Sequence, residues 1–118
     1  MRKHMSIRVA VASTDGKVVN QHFGHADRFH IFEIDGEEFR FIETRFVQPF
    51  CAGGGHEGKD STDLLKAMDG CRAVLVNRIG GGAVTMLEEN GIDAIEVRGF
   101  IEDALREIGR RKLYSDRT

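Results

Sequence analysis

The chain has 118 residues, of which 41% are hydrophobic and 31% charged, a composition that fits one water-soluble domain with a buried core. A formal net charge of −2 disfavours a nucleic-acid-binding protein, because such proteins present a broad basic surface. The sequence has no apolar run of the roughly 20 residues that span a bilayer and no apolar stretch typical of a signal peptide. Its two cysteines are too few for a disulfide framework. We therefore expect a cytoplasmic protein without membrane contact.

The first half of the chain predicts three strands. Residues 6–13 alternate branched residues with arginine and small alanines, which suits a strand covered on both faces. Residues 28–34 and 38–47 are aromatic and β-branched runs joined across Asp35 and Gly36. Asp-Gly between such runs predicts a hairpin, because both central positions of a type I′ turn need positive φ.

The second half predicts alternating helices and strands. In chain order we expect a short helix that Asp60 or Ser61 begins and Gly70 ends, a buried strand over 71–79, a helix from about Ala83 to Glu89 with an Asn-Gly stop, a strand over 93–97, and an amphipathic helix over 100–109 that Gly109 closes. A βαβ unit requires a parallel pair of strands, whereas the hairpin requires an antiparallel pair. The simplest arrangement is an α/β fold with a mixed five-stranded sheet and helices on its faces.

The sequence predicts one domain over residues 6–109. Residues 1–5 end at a second methionine, Met5, and are interpreted as an extension or a tag remnant. Residues 110–118 are polar and charged, and we expect a solvated tail there.

Three of the five histidines fall within the stretch NQHFGHADRFH, residues 20–30. Imidazole is the commonest metal ligand in proteins. Gly24 predicts a sharp turn, so that His22 and His25, three residues apart, can point at one ion. Alternatively, both are ordinary solvated loop residues. His30 belongs to a predicted strand, and we expect it to have a packing or edge role.

A glycine-rich loop supplies two more candidate ligands, Cys51 and His56, which are five residues apart. Thiolate and imidazole are ligands of iron, copper and zinc centres, and glycines let a backbone approach a bulky ligand. The alternative is a plain loop whose glycines serve only flexibility. We predict that His22, Cys51 and His56 are the metal ligands, with His25 beside them. Cys71 opens a buried strand and is interpreted as a small core residue.

The same loop nearly matches a phosphate-binding motif. Gly53, Gly58 and Lys59 have the spacing G-x-x-x-x-G-K, but Asp60 stands where a hydroxyl residue should bind magnesium. Pro49, which cannot donate in a sheet ladder, lies where a buried strand should precede the loop. These departures argue against a nucleotide site.

A second glycine run, formed by Gly80, Gly81 and Gly82, joins a predicted strand to a predicted helix. Backbone N–H groups at a helix N-terminus attract anions, and Arg78 adds positive charge nearby. A tight connection, in which the glycines serve only packing, is the alternative. An anionic metal-sulfide cluster or an oxyanion suits this junction better than a bare divalent cation does.

The residues offer little for catalysis. The chain contains no G-x-S-x-G motif, no serine placed with a histidine and an acid, and no cluster of carboxylates at predicted strand ends. We therefore expect a non-enzymatic protein. A small regulatory module that binds an anion or a nucleotide through the glycine-rich loops remains the alternative function.

Two segments resemble the NifX/NifB-type nitrogenase-cofactor accessory domain family. Residues 11–35 contain the motif H-F-G-x-A-x-x-F from His22 to Phe29, and residues 73–97 are similar to that family's strand, glycine turn, helix and strand. The resemblance covers about residues 6–108. It implies a three-layer ribonuclease H-like α/β fold and a non-enzymatic carrier or chaperone. The implied cargo is iron-molybdenum cofactor, its iron-sulfur precursor or another molybdenum-sulfide cluster, contacted by His22 and exchanged with donor and acceptor proteins.

Overall fold

The computed structural model of the chain describes residues 6–47 and 61–111. In chain order the elements are β1 (Ile7–Ala12), β2 (Val18–Val19), a 3₁₀ turn (Phe23–His25), β3 (Arg28–Asp35), β4 (Glu38–Phe46), α1 (Ser61–Ala67), β5 (Ala73–Val76), α2 (Gly81–Glu89), β6 (Asp93–Glu96), β7 (Gly99–Phe100) and α3 (Ile101–Arg111).

The main sheet has five strands in the order β4-β3-β1-β5-β6. β1 pairs antiparallel with β3 and parallel with β5, while β3–β4 is antiparallel and β5–β6 is parallel. The predicted mixed five-stranded sheet is therefore confirmed, with the apolar strand β5 in its parallel half and the hairpin at the other edge. The small alanines of β1 belong to a central strand that is buried on both faces.

The core lies on both faces of this sheet. On one face, Ala10, Ile31 and Val74 pack with residues of α1 and α2 such as Leu64 and Leu87. On the other, Val9, Phe32 and Leu75 of the same strands pack against Ile101, Leu105 and Ile108 of α3. Because alternate residues of a strand point to opposite faces, each central strand supplies both cores, and the result is three layers, helix–sheet–helix.

The hairpin turn differs from the prediction by one residue. Asp35 pairs with Glu38, so the two central turn residues are Gly36 and Glu37 rather than Asp35 and Gly36. Gly36 has φ +66° at the first central position, where hairpin turns of types I′ and II′ both need positive φ. The glycine therefore supplies the turn, and Asp35 is the last residue of β3.

A small second sheet was not predicted. β2 and β7 pair antiparallel through Val18–Phe100 and Val19–Gly99, and the Ile101 N–H donates to the Lys17 carbonyl at 2.8 Å, where α3 begins. Two-residue strands carry no readable period, because alternation needs several residues to emerge. This sheet ties the start of α3 to the loop that follows β1.

Helix α2 begins earlier than predicted. Gly81 and Gly82 form its first turn and Gly80 is its N-cap, because a helix N-terminus tolerates glycine as a cap. The predicted stop is confirmed. Ile92 and Gly91 donate backbone hydrogen bonds to Leu87 and Glu88, and Gly91 has φ +77°, which is a Schellman ending.

The predicted end of the last helix at Gly109 is wrong, since α3 continues to Arg111. Gly109 is buried inside the helix, where an added Cβ would overlap the carbonyl oxygen of Gly36. The glycine therefore permits a close approach of helix and hairpin turn rather than ending the helix. None of the helices in residues 6–47 and 61–111 is long and apolar enough to cross a membrane.

Candidate functional site

The His22 turn, residues 22–25, displays two imidazoles on the surface. The Phe23 ring is buried and packs 6.0 Å, centroid to centroid, from Phe29, so the turn is anchored by the residue between the histidines. His22 and His25 are exposed, and their rings stack with centroids 5.9 Å apart and an interplanar angle of 20°. The predicted sharp turn therefore places both imidazoles on the same side of one anchored loop.

Backbone hydrogen bonds fix this turn at the carboxyl end of β5. His22 and Arg78 form a parallel bridge, the Phe23 N–H donates to the Arg78 carbonyl at 2.9 Å, and the Asn77 N–H donates to the Gln21 carbonyl at 2.9 Å. In open α/β sheets, ligands bind outside the carboxyl ends of the parallel strands. The structure thus brings the His22 turn to the strand end that leads into the glycines.

The glycine junction is the N-terminus of α2. Gly80 caps the helix with extended backbone (φ −81°, ψ 160°) and makes no side-chain hydrogen bond to the first turn. The first backbone N–H groups of any helix lack intrahelical partners. A Cβ added at Gly80, Gly81 or Gly82 would meet nothing within 4 Å. Close packing therefore does not explain these three glycines, whereas open space for a ligand is compatible with all of them.

An open groove of about 490 Å³ lies between the His22 turn and α2. Its lining combines apolar side chains with bare backbone and comes from the turn, α1 and α2: Phe23, Gly24, Leu64, Gly80, Gly82, Ala83 and Met86. None of these lining residues is acidic. Such a surface suits a bulky guest whose negative charge is met by backbone N–H groups at the start of α2.

Sequence reasoning missed the apolar part of this lining. Leu64 and Met86 lie on predicted helices, but only the tertiary fold turns them toward the glycine junction. The sequence predicts His22, His25 and Gly81 in the site, but none of the three is among the groove-lining residues: the histidines flank Phe23 and Gly24, which line it, and Gly81 begins α2. Met86 carries a weak signal, because methionine adapts to irregular ligand surfaces.

Cys51 and His56, with the whole phosphate-loop-like stretch, lie outside the described residues, and so their place in the site stays a prediction. The described residues on either side of this stretch lie near the His22 turn and the groove. The Val47 N–H donates to the Asp27 carbonyl at 2.9 Å, and Leu64 of α1 lines the groove. Within residues 6–47 and 61–111, no three His, Cys, Asp or Glu side chains form a group that could hold a metal ion.

The acidic side chain nearest the turn in sequence is already paired. Asp27 accepts hydrogen bonds from the Arg28 guanidinium at 3.1 and 3.3 Å. The hydrogen bond and charge of Arg28 hold the pKa of the Asp27 carboxyl below its usual value. This carboxylate is therefore neutralised locally, which lowers its repulsion toward an anionic guest.

His30 and Cys71 have structural roles, as predicted. The His30 ring is half-buried, with Nδ1 2.9 Å from Thr44 Oγ1 and Nε2 3.0 Å from the Ser13 carbonyl oxygen. Because the carbonyl can only accept, the neutral ring donates from Nε2 and accepts the Thr44 hydroxyl proton at Nδ1. Cys71 is buried, and desolvation raises the pKa of its thiol to about 11.

Comparison with known proteins agrees with this architecture. The profile of the family called Dinitrogenase iron-molybdenum cofactor matches residues 5–111. The FeMo cofactor biosynthesis protein NifB of Frankia alni is 40% identical over 114 residues, which is 94% of this chain and 22% of that protein. NifB of Azotobacter vinelandii is 33% identical over 120 residues, covering 98% of this chain and 24% of that protein. The chain thus spans less than a quarter of these relatives' length.

Two solved structures share the fold over nearly their whole length. The crystal structure of PH0822 superposes with TM-score 0.67 at 26% identity, covering 93% of this chain and 96% of that one. A Methanocaldococcus jannaschii protein provisionally described as a dinitrogenase gives TM-score 0.59 at 15% identity, covering 97% of both chains. The chain therefore belongs to the dinitrogenase iron-molybdenum cofactor family, as a NifX/NifB-type cofactor-biosynthesis domain.

Proposed function

We propose that this domain is a non-enzymatic carrier that holds an anionic metal-sulfur cluster in the groove between the His22 turn and the start of α2. The cargo is iron-molybdenum cofactor, its iron-sulfur precursor or a related molybdenum-sulfide cluster. One observation supports this most strongly. Two features singled out separately in the sequence, the histidine turn and the glycine junction, meet at one open groove.

Charge favours an anionic guest there. The N-terminus of α2 presents backbone N–H groups and the equivalent of about half a positive charge. Gly80 and Gly82 line the groove without side chains, so a guest can approach the backbone closely. A bare divalent cation would be repelled by the same groups, whereas the sulfides of a cluster can accept their hydrogen bonds.

His22 is proposed as the main ligand, because it belongs to the family motif, is exposed and directly precedes Phe23 and Gly24, which line the groove. A neutral imidazole can coordinate a metal or donate a hydrogen bond to sulfide. His25, stacked on His22, supplies a second imidazole. Cys51 and His56 are proposed as additional ligands from the segment that joins β4 to α1, with smaller contributions for a cluster that is already coordinatively complete.

The groove has a suitable size. Its volume of about 490 Å³ lies in the range of about 300–1,000 Å³ that small-molecule sites occupy. The groove has an apolar wall formed by Phe23, Leu64 and Met86. This wall can pack against a guest without coordinating its metal atoms. This arrangement is appropriate for holding and releasing a cargo intact.

The remaining parts of the proposal follow from family membership. The three layers and the mixed sheet support the ribonuclease H-like class. We infer a cytoplasmic protein that receives its cluster from a donor protein and passes it to an acceptor, without binding nucleic acid or membrane. Since the NifB relatives are about four times longer than this chain, their whole activity is not transferred to it.

A second candidate is a small module that binds phosphate or a nucleotide at the same junction. The N-terminus of α2, which lacks a side-chain cap, is the observation in its favour. A phosphate-bearing ligand would use the glycines of α2 and would leave His22 and Cys51 unused. The two candidates therefore predict different responses to histidine substitution.

The test is an anaerobic titration of the chain with isolated iron-molybdenum cofactor, followed by absorbance and metal analysis. We expect His22→Ala to weaken binding at least tenfold, with smaller losses for Cys51→Ala and His56→Ala. His4→Ala, outside the matched family domain, is the control. Loading should weaken below about pH 6, because a protonated imidazole cannot coordinate.

Two results would contradict the proposal. One is cofactor binding by His22→Ala as tight as that of the unsubstituted chain from about pH 6 to 8. The other is tight binding of ATP or inorganic phosphate with no binding of the cofactor, which would favour the second candidate.

A further inference from the structure

β4 (Glu38–Phe46) is an edge of the five-stranded sheet formed by the described residues. It pairs with β3 on one side, and its other side presents a row of backbone N–H and C=O groups. Such an edge is a template for pairing with another strand unless its sequence opposes the pairing. The side chains of β4 determine which strand it can accept.

A β-bulge sets the direction of these side chains. Phe32 lies opposite Phe41 and Ile31 lies opposite Glu43, so Ile42 is the extra residue. Because the bulge shifts the alternation by one residue, charged residues before and after it share the face that α1 and α2 cover: Glu38, Arg40, Glu43 and Arg45. The phenylalanines of β4 share the opposite face, which α3 covers in part.

Side-chain contacts confirm both faces. Arg40 pairs with Glu33 at 2.7 Å. Arg45 pairs with Glu43 at 2.9 Å on the same strand and donates to the carbonyl oxygens of Ala67, the last residue of α1, and Asp69. On the other face, the Phe39 ring lies 5.5 Å from the guanidinium of Arg106 of α3. The charges of β4 are thus aligned along one side of the strand in the order minus, plus, minus, plus.

All four charges of this order find opposite charges in an antiparallel register centred on the bulge. When a second copy of β4 is placed about a two-fold axis between Phe41 and Ile42, Glu38 lies opposite Arg45 of that copy and Arg40 lies opposite Glu43. Four opposite-charge pairs result. Opposite charges across a strand pair are stabilising, and like charges are destabilising.

The neighbouring registers are opposed by the same charges. Because of the bulge, face-matched registers differ by two residues. A shift in one direction places Arg40 opposite Arg45, and a shift in the other places Glu38 opposite Glu43. An edge bearing charges of a single sign would repel every register, whereas this alternation favours the register with four opposite-charge pairs over these two neighbours.

The aromatic face has the same symmetry. The Phe41 side chain is 55% exposed although it belongs to the sheet. In this register Phe41 of each copy lies beside the two-fold axis, where the second copy packs next to it. Pairing would therefore cover apolar surface that this chain leaves in solvent.

We propose that β4 is a homodimer interface. The β4 strands of two copies of this chain pair antiparallel, and the two five-stranded sheets join into one continuous sheet of ten strands. Arg28, three residues after His25, pairs with Phe46. The two His22 turns accordingly lie at opposite ends of the joined strands, and both grooves stay accessible. The interface is independent of what the groove binds.

The test is sedimentation velocity over a concentration series from about 5 μM to 1 mM, with far-UV circular dichroism to verify folding. The unsubstituted chain should show reversible dimerisation. Arg40→Glu and Glu43→Arg should each weaken it at least tenfold, which is about 1.4 kcal/mol, because each substitution places like charges opposite in both halves of the interface. The matched controls are Glu88→Arg on α2 and Arg98→Glu in the connection between β6 and β7. Both residues are exposed, and both variants should dimerise like the unsubstituted chain.

The decisive step is to combine the two substitutions. An equimolar mixture of Arg40→Glu and Glu43→Arg chains should regain dimerisation, because the heterodimer restores opposite charges at both positions. The double variant should regain it alone. A chain that stays monomeric at 1 mM, single variants that dimerise normally, controls that lose dimerisation, or a mixture that stays monomeric would each overturn the proposal.

Discussion

Replacement of Gly109 by alanine tests the packing of α3 against the hairpin turn. At an ordinary helix position, Gly→Ala stabilises a protein by about 0.5–1 kcal/mol, because glycine loses more backbone entropy on folding. At Gly109 the new Cβ would overlap the Gly36 carbonyl oxygen and come within 3.0 Å of the Gly36 carbonyl carbon and of Ile34 Cγ2. Two of these three atoms are backbone and cannot rotate away.

The helix must therefore move away from the hairpin. Overpacking of a core costs about 1–3 kcal/mol of stability. Because the obstructing Gly36 carbonyl belongs to the backbone, we expect Gly109→Ala to lie at the upper end of this range. After subtraction of the gain in helix propensity, we expect a loss of about 2 kcal/mol in the free energy of unfolding. For a domain near 100 residues this lowers Tm by roughly 10 °C.

The assay is thermal and urea unfolding followed by circular dichroism. Gly81→Ala is the control, because its Cβ meets nothing within 4 Å and should change stability by less than about 0.5 kcal/mol. If Gly109→Ala were as stable as the unsubstituted chain, or more stable, the close approach of α3 to the hairpin turn would be refuted.

Three further predictions concern single side chains. Burial raises the pKa of the Cys71 thiol from 9.0 to about 11, so the contribution of the neutral thiol to stability is fully present below about pH 9. About 2–3 kcal/mol of unfolding free energy should be lost as the pH rises from 9 to 11. Unfolding curves of the unsubstituted chain and of Cys71→Ala measure this loss, and equal pH dependence of the two chains would contradict it. His30→Leu should lower the free energy of unfolding by about 1–2 kcal/mol, because two part-buried hydrogen bonds lose a partner. His25 is exposed, and His25→Leu should change that free energy by less than about 0.5 kcal/mol. Equal effects of the two substitutions in urea titrations would refute the distinction. Gly82→Leu should fill the groove and weaken cofactor binding at least tenfold while the chain stays folded, and unchanged binding in the anaerobic titration would exclude the groove as the site.

Two strand pairings of the sheet, β3–β4 and β5–β6, follow from local features of the sequence. An alternating run at 28–34 joined by a short turn to 38–47 permits only an antiparallel pair, and the helix between β5 and β6 permits a parallel one. The glycine after Asn90 ends α2 for a local reason, its positive φ. Local chemistry of this kind is readable without the tertiary fold.

Other features depend on contacts between distant residues. The sequence predicts that Gly109 ends the last helix, because glycine often follows the final turn of a helix. In the structure Gly109 instead permits a close contact with Gly36, a residue 73 positions earlier in the sequence. The pairing of β2 with β7 and the approach of Leu64 to the groove have the same origin. Residue type and spacing single out His22, His25 and the glycines of α2 as candidate site residues, whereas the apolar lining of the groove depends on the tertiary fold.

The location of a bound cluster tests the central claim most directly. Crystals of the chain loaded anaerobically with iron-molybdenum cofactor would be measured at the iron absorption edge. The proposed function predicts that the strongest anomalous peak lies in the groove, beside the His22 imidazole and the Gly80–Gly82 backbone. A strongest peak at any other surface, with the groove free of iron, would contradict it.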